Sequence, residues 1–352
     1  MISSILNRIP AKKRILANTL ELSGMLPVIN RITEENLIIF NFHRMKPTPR
    51  DHSFCDEVYG PDADVFTDYL KWMKLYADPV SEQDIINSIY SNEKLPRKSF
   101  LVTFDDGYRD NFEVALPILK RENVPGIFFV TTGFLTDQKL GWWDTIYWFL
   151  KKTSLKRFTL HNDAYDLTTH SIDMVAETII QKIKSLEYGQ LEMALNQLSL
   201  ILKVSFPTAS DVASELMTWE QLRTAMNSGI SVGSHTHTHP ILANLTDEEQ
   251  KQEFTLSKKI LEENLGTTIQ SLSFPVGGYE HISTNSSYLA KEAGYKLAFS
   301  FLTGINKASQ MNAFDIKRLD WFPSRVEYRC AFALPDVFAQ RKCTYRSPRI
   351  PQ

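Results

Sequence analysis

The chain has 352 residues, enough for one large α/β domain with an insertion or for two domains. Its 39 basic and 41 acidic side chains leave a net charge of −2, which argues against nucleic acid or an anionic lipid field as a dominant partner. Three cysteines, Cys55, Cys330 and Cys343, lack metal-like spacing and form no disulfide framework, so a reducing, cytoplasmic setting is expected.

At the N-terminus, Ile2, Ile5, Leu6 and Ile9 fall at helical spacing with Arg8, Lys12, Lys13 and Arg14 close by. Arg8 and Pro10 break the apolar core that a secretory signal needs, and no apolar run is long enough to span a bilayer. Residues 1–30 therefore read as a helical leader. Either it docks on its own domain, the reading we favour, or it makes a peripheral membrane contact. Leu37 to Phe42 is the first strand, and it ends at His43. A histidine there faces the site of an α/β fold; a core histidine bonded to a carbonyl is the other reading. Residues 44–64 read as a loop. Val65 to Tyr76 is an amphipathic helix burying Phe66, Leu70, Met73 and Leu75, and a short helix starts at Ser81.

Ser99 to Phe104 has the length and apolar content of a buried strand, which places Asp105 and Asp106 at its carboxyl end and Gly107 in a sharp turn. Adjacent carboxylates repel, so the pair needs a cation, a shared proton or full hydration. Asn111 to Glu122 reads as a helix bent near Pro117, and Gly126 to Gly133 as another strand. This rhythm indicates a parallel βα barrel or open sheet. Residues 140–216 then turn helical and read as an insertion. Its aromatic segment, with Trp142, Trp143, Tyr147 and Trp148, serves packing or sugar stacking, packing being favoured.

Thr218 and Gln221 have the spacing of a capping box before a helix that feeds the strand Gly229 to Ser234. The strand runs into His235, His237 and His239. The spacing of four puts His235 and His239 on one side of a turn, as two ligands of one metal need. His237 points away and is not expected to bind. One carboxylate completes three N/O ligands, and a divalent ion with open positions is a catalytic site. Thr246 to Asn264 is a helix closed by Gly266, Ser271 to Tyr279 a strand with a glycine-rich turn, and Ile316 to Trp321 a late strand. Residues 326–352 read as a peripheral tail. Neither a Walker-type loop nor a GxGxxG is present.

TFDDG followed by H-T-x-T-H-P resembles the polysaccharide deacetylase family, the NodB-homology or carbohydrate esterase family 4 enzymes. The likeness extends from about residue 36 to about 325. It implies a distorted (β/α) barrel of about seven parallel strands over residues 31–325, interrupted by the insertion. It also implies hydrolysis of N-acetyl groups on hexosamine units of a glycan, in exopolysaccharide or cell-surface glycan metabolism, with a divalent metal, most often zinc. Carried over, Asp105 is the general base, and Asp106, His235 and His239 are the metal ligands. The segment FHRM resembles a YHR-type segment of the poly-N-acetylglucosamine branch, which makes His43 the general acid. The late Leu-x-His motif of other members is missing, and His281 is the weaker candidate.

The family's Arg-Pro-Pro-aromatic-Gly motif reads here Ser273, Phe274, Pro275, Val276, Gly277. The arginine is missing, while the turn that presents the Val276 amide is kept. Arg318 is the expected replacement, with Asp320 orienting it and Trp321 walling the pocket; a strand-end salt bridge and a packed indole are the other reading. Tyr108, Trp143, Pro275, Val276 and Trp321 are the implied substrate contacts. The rivals are an O-acetyl esterase or other deacylase on this scaffold, or a non-catalytic glycan-binding homologue.

Overall fold

The computed structural model describes residues 10–32, 36–46, 54–56, 58–160, 162–184, 186, 189–307, 310–322 and 324–338. Ten strands occur among them: β1 Asn36–Phe42, β2 Asp78–Pro79, β3 Lys98–Phe104, β4 Gly126–Val130, β5 Arg157–Leu160, β6 Asp163–Asp166, β7 Ile230–Ser234, β8 Ser271–Ser273, β9 Leu297–Phe299 and β10 Leu319–Asp320. The main sheet runs β10-β1-β3-β4-β7-β8-β9, all parallel, with β2 beside β3. β5 and β6 form a separate antiparallel hairpin in the 140–216 segment, among helices Trp142–Lys152, Ile172–Ile183 and Gln190–Leu202.

Continuous apolar runs make these parallel strands. β1 and β3 are buried at every residue, as strands covered on both faces must be. The sheet curls until Ile316 bridges Phe299 of β9 while Leu319 and Asp320 pair with β1, giving a distorted (β/α) barrel. Register then positions chemistry. Phe42 pairs with Phe104, so His43 and Asp105 leave the sheet side by side, and the Asp105 amide donates to the Phe42 carbonyl at 2.9 Å. Val130 pairs with Ser234 in the same way, so the histidine segment emerges beside Thr131.

Helix starts follow local chemistry. Capping boxes form at Ser81 with Asp84, Thr218 with Gln221 and Thr246 with Glu249, and Gly266 ends the last of these helices in the left-handed conformation. Leu75, expected in the core, lies at a helix C-cap and is 70% exposed. The bend expected at Pro117 is instead a π-type turn over Asn111–Ala115, after which Pro117 occupies the first turn of an α-helix where its missing N–H costs nothing. The strand expected to reach Gly133 stops at Val130, because Thr132 and Gly133 donate to the Thr236 and His237 carbonyls instead of to the ladder.

The described part of the leader holds the helix Pro10–Leu22 and enters a second, Leu26–Ile32; Ala17 of the first is buried against Cys330, Ala331 and Ala333 of the helix Arg325–Ala333. Ile2, Ile5, Leu6, Arg8 and Ile9 lie outside the described residues. The tail expected from residue 326 is not peripheral where it is described. Tyr328 and Phe332 are fully buried at i, i+4 spacing, and the Tyr328 ring stacks on Tyr69 at 3.7 Å. Residues 339–352, with Cys343, lie outside the description. Cys55 and Cys330 are buried. Among the described residues no helix is long and apolar enough to cross a membrane.

Candidate active site

The carboxyl ends of β1, β3, β7 and β8 converge on one buried cluster. Asp106, at the end of β3, takes a left-handed φ of 76°, and His239 takes 57°. Such backbone is uncommon outside glycine and gathers where a scaffold enforces it. His235 Nε2 and His239 Nε2 each stand 3.5 Å from Asp106 Oδ1, and one ligand atom from each of the three residues falls within 4.8 Å of the others. The His235 Nδ1–H donates to the Ser273 carbonyl at 2.8 Å, leaving the Nε2 lone pair directed at the cluster.

The donor set fits a divalent metal. Both Asp106 oxygens are buried and have no hydrogen-bond partner among the described residues, which is costly for a carboxylate unless a cation faces it. Burial, and then the neighbouring Asp105 charge, push the Asp106 carboxyl well above its ordinary range. Burial lowers His235 to about 4 and His239 well below its usual value, so both imidazoles are neutral with lone pairs free to bind. His237, expected not to bind, turns its Nδ1 to the Thr132 hydroxyl at 2.9 Å.

Asp105 is held differently. Arg318 grips it with both arms, Nη1 to Oδ1 at 2.8 Å and Nη2 to Oδ2 at 2.9 Å. Burial alone would raise this carboxyl, but the Arg318 charge outweighs it and holds Asp105 below the usual carboxylate range. The remaining guanidinium donors go to the Ser300 carbonyl, the Asn41 side-chain oxygen and the Ser273 hydroxyl. Ser273 stands where the motif arginine is missing, and the arginine from the late strand fills the gap. The orientation of Arg318 comes from these partners. The Asp320 charge, beside Arg318 in sequence, also reaches His43, whose imidazole is pulled down by burial and up by the Asp105 and Asp320 charges. His281 is half-exposed beside Glu280 and feels the charges of Glu280 and Lys184, so the structure brings His43 to the site and leaves His281 away from it.

The implied substrate contacts divide. Val276 sits in the turn after β8 with φ of 59°, an outlier for a β-branched residue, and is half-buried; Pro275 beside it is buried. Trp321 is half-buried near Gly60. Trp143 lays its ring against His239 at 4.5 Å and donates from Nε1 to the Tyr108 hydroxyl at 3.0 Å. Tyr108 itself is fully buried and its hydroxyl donates to Asp144 at 2.7 Å, so it is a strut behind Trp143 rather than a surface for substrate.

Sequence reading missed several supporting groups. Glu253, on the helix Asp247–Leu265, accepts the His237 and Thr238 amides and the Thr238 hydroxyl at 2.7–2.9 Å, which pins the histidine loop. Arg44 lies between the Tyr59 and Tyr108 rings, 4.5 Å from each, and binds Asp110 and Glu215 at 2.8 and 2.6 Å. Asn41, polar inside the apolar strand β1, belongs instead to the Arg318 and Asp105 group, to both of which its side chain bonds.

Comparison with known proteins agrees with this geometry. Residues 92–298 match the profile described as polysaccharide deacetylase. YxkH of Bacillus subtilis (strain 168), named as a candidate polysaccharide deacetylase, is 22% identical over 246 residues, 70% of this chain and 60% of that protein. A Staphylococcus aureus (strain MRSA252) protein named poly-β-1,6-N-acetyl-D-glucosamine N-deacetylase is 24% identical over 149 residues, 40% of this chain and 50% of that protein. The chain thus spans half to three fifths of these curated relatives. Two solved structures share the fold: the Streptococcus pyogenes deacetylase PplD in complex with acetate, with a TM-score of 0.54, 18% identity and coverage of 83% of this chain and 95% of that one, and IcaB from Ammonifex degensii, at 0.55, 17%, 85% and 97%. With the profile covering more than half of its length, the chain belongs to the polysaccharide deacetylase family.

Proposed function

We propose that this protein hydrolyses N-acetyl groups on hexosamine units of a glycan, releasing acetate and leaving a free amine. The observation that carries the reading is the buried trio Asp106, His235 and His239 beside an Asp105 locked by Arg318. The name of the Staphylococcus aureus relative supports an N-acetylglucosamine polymer as the substrate class. Asp106, His235 and His239 would hold the divalent metal, with zinc suited to this N/O set. Bound there, the ion supplies Lewis acidity, which polarises the amide carbonyl and acidifies water.

The chain's own groups do the rest. Asp105, kept ionised by Arg318, accepts a proton from the attacking water. In this reading the Val276 amide donates to the developing oxyanion, a contribution worth about 3 kcal/mol when such a donor is lost. His43 delivers a proton to the departing nitrogen as the C–N bond breaks, worth about 100-fold or more in rate. Water and amide are consumed, and acetate and amine leave, with protons balanced between Asp105 and His43.

Acetate release from N-acetylglucosamine oligomers by zinc-reconstituted protein tests the reading, with Asp105→Asn as control. Release that needs both zinc and Asp105 is expected. Metal binding without acetate from N-acetylated sugars would overturn it, and release from O-acetylated sugars alone would make the protein an esterase.

A further inference from the structure

Between the histidine loop and the 140–216 segment lies a cavity of about 720 Å³. Its barrel side carries Phe134 and Ile241, and its far side Ile183, Leu191, Leu195 and Val212. Polar groups such as Asp137, Lys139, Glu192 and Asn244 stand exposed at its margin. The wall includes His239 but none of Asp105, Asp106 or His43, so the cavity begins where the reacting centre ends.

Trp142 and Phe206 also line the cavity, but sugars need convergent hydrogen-bonding groups as well, and below the polar margin the wall is mainly apolar, with the Thr145 and Thr238 hydroxyls already bonded to the Gly141 carbonyl and to Glu253. Methylene chains are what such a wall recovers from water. The volume falls within the roughly 300–1,000 Å³ of small-molecule sites. His239 belongs to both the cavity wall and the Asp106–His235–His239 trio, so a chain seated in the cavity ends beside the reacting centre.

We propose that this cavity takes an aliphatic chain carried by the substrate, so that the molecule acted on is a lipid-bearing N-acylated saccharide. The proposal rests on the deacetylase reading for the reacting group and adds the chain. The chain has two possible points of attachment, the glycosidic end of the saccharide or the acyl group itself.

The test is calorimetric binding to the zinc-loaded Asp105→Asn protein, which keeps the cavity intact while turnover is blocked. The ligands are the methyl and octyl β-glycosides of N-acetylglucosamine and the methyl glycoside of N-octanoylglucosamine, each below its micelle-forming concentration. A buried methylene is worth roughly threefold to fourfold in affinity, so at least a tenfold gain over the methyl N-acetyl compound is expected from one of the octyl compounds. Gain with the octyl glycoside places the chain at the glycosidic end, and gain with the N-octanoyl compound places it on the acyl group. Leu195→Trp, which fills the cavity, and Leu191→Asp, at a half-buried position of the wall, should each bring the octyl-to-methyl ratio back to about one. Equal affinity of all three compounds for the parent protein, or a gain that survives both substitutions, overturns the proposal whether or not the active protein releases acetate. Chain-dependent binding without acetate release keeps the chain site and removes the deacetylase reading.

Discussion

Replacing Arg318 by Met is the most demanding perturbation of the site. The guanidinium is 1% exposed and touches both oxygens of Asp105, itself 2% exposed. Without it, the hydrogen bonds left to the buried carboxylate among the described residues are those of the Asn41 amide at 3.1 Å and the Ser273 hydroxyl at 3.4 Å. Stripping one partner from a buried ion pair costs about 3–5 kcal/mol, and the orphaned Ser300 carbonyl adds about 1 kcal/mol. The expected loss is therefore about 4–6 kcal/mol, a large share of the 5–15 kcal/mol typical of a folded domain. Urea unfolding of parent and variant reads this from the transition midpoint at unchanged slope. Arg318→Lys keeps the charge but not the two-armed grip, so it should recover part of the stability and part of the turnover number. If Arg318 positions Asp105, kcat of the folded fraction falls in both variants while KM stays within about threefold. A stability loss below about 1 kcal/mol, or an unchanged kcat in folded Arg318→Met, would refute the reasoning.

Further outcomes follow from the same geometry. His235→Ala should abolish one equivalent of bound zinc after dialysis, whereas His237→Ala should keep it, because its ring faces Thr132. Tyr108→Phe keeps the ring beside Arg44 but leaves Asp144 and Trp143 without their shared hydroxyl; a stability loss of about 1–3 kcal/mol and several-fold weaker zinc retention in a chelator competition are expected. Lys98 is held at about 8 by burial, below the roughly 10.4 of an exposed lysine. Between those values the unfolded chain binds more protons than the folded one, so the lysine's contribution to stability improves as pH rises from about 8 towards 10. Urea midpoints at pH 7.5 and 9.5 should show a rise in the parent that Lys98→Met lacks.

The parts legible in the sequence are those fixed by neighbours along the chain. Apolar runs ending in Asp105 and in His235 announce strands with polar groups at their carboxyl ends, and the boxes at Thr218 and Thr246 announce helix starts. Tyr108 misled for the opposite reason. It sits next to the Asp pair in sequence, but the turn at Gly107 sends its ring inward, towards Arg44 and Asp144, which are far away along the chain. Glu253 was invisible because a charged helix gives no sign of which of its carboxylates will face a loop. The expected tail failed for a related reason: its apolar spacing is short, and only the docking of the Tyr69 ring reveals that Tyr328 belongs to the core.

Arg318 joins fold and site in one interaction. The motif position on β8 carries only Ser273, so the positive charge Asp105 needs has to arrive from elsewhere. It comes from the segment that brings the two ends of the curled sheet together, where Ile316 bridges β9 and Leu319 pairs with β1. From there a single guanidinium reaches the Ser300 carbonyl after β9, Ser273 on β8, Asn41 on β1 and Asp105 after β3. Anchoring the Asp105 carboxylate and joining the sheet ends are therefore one set of bonds. The polar residues at 41 and 273 follow from it, because each supplies an oxygen that a buried five-donor side chain must find.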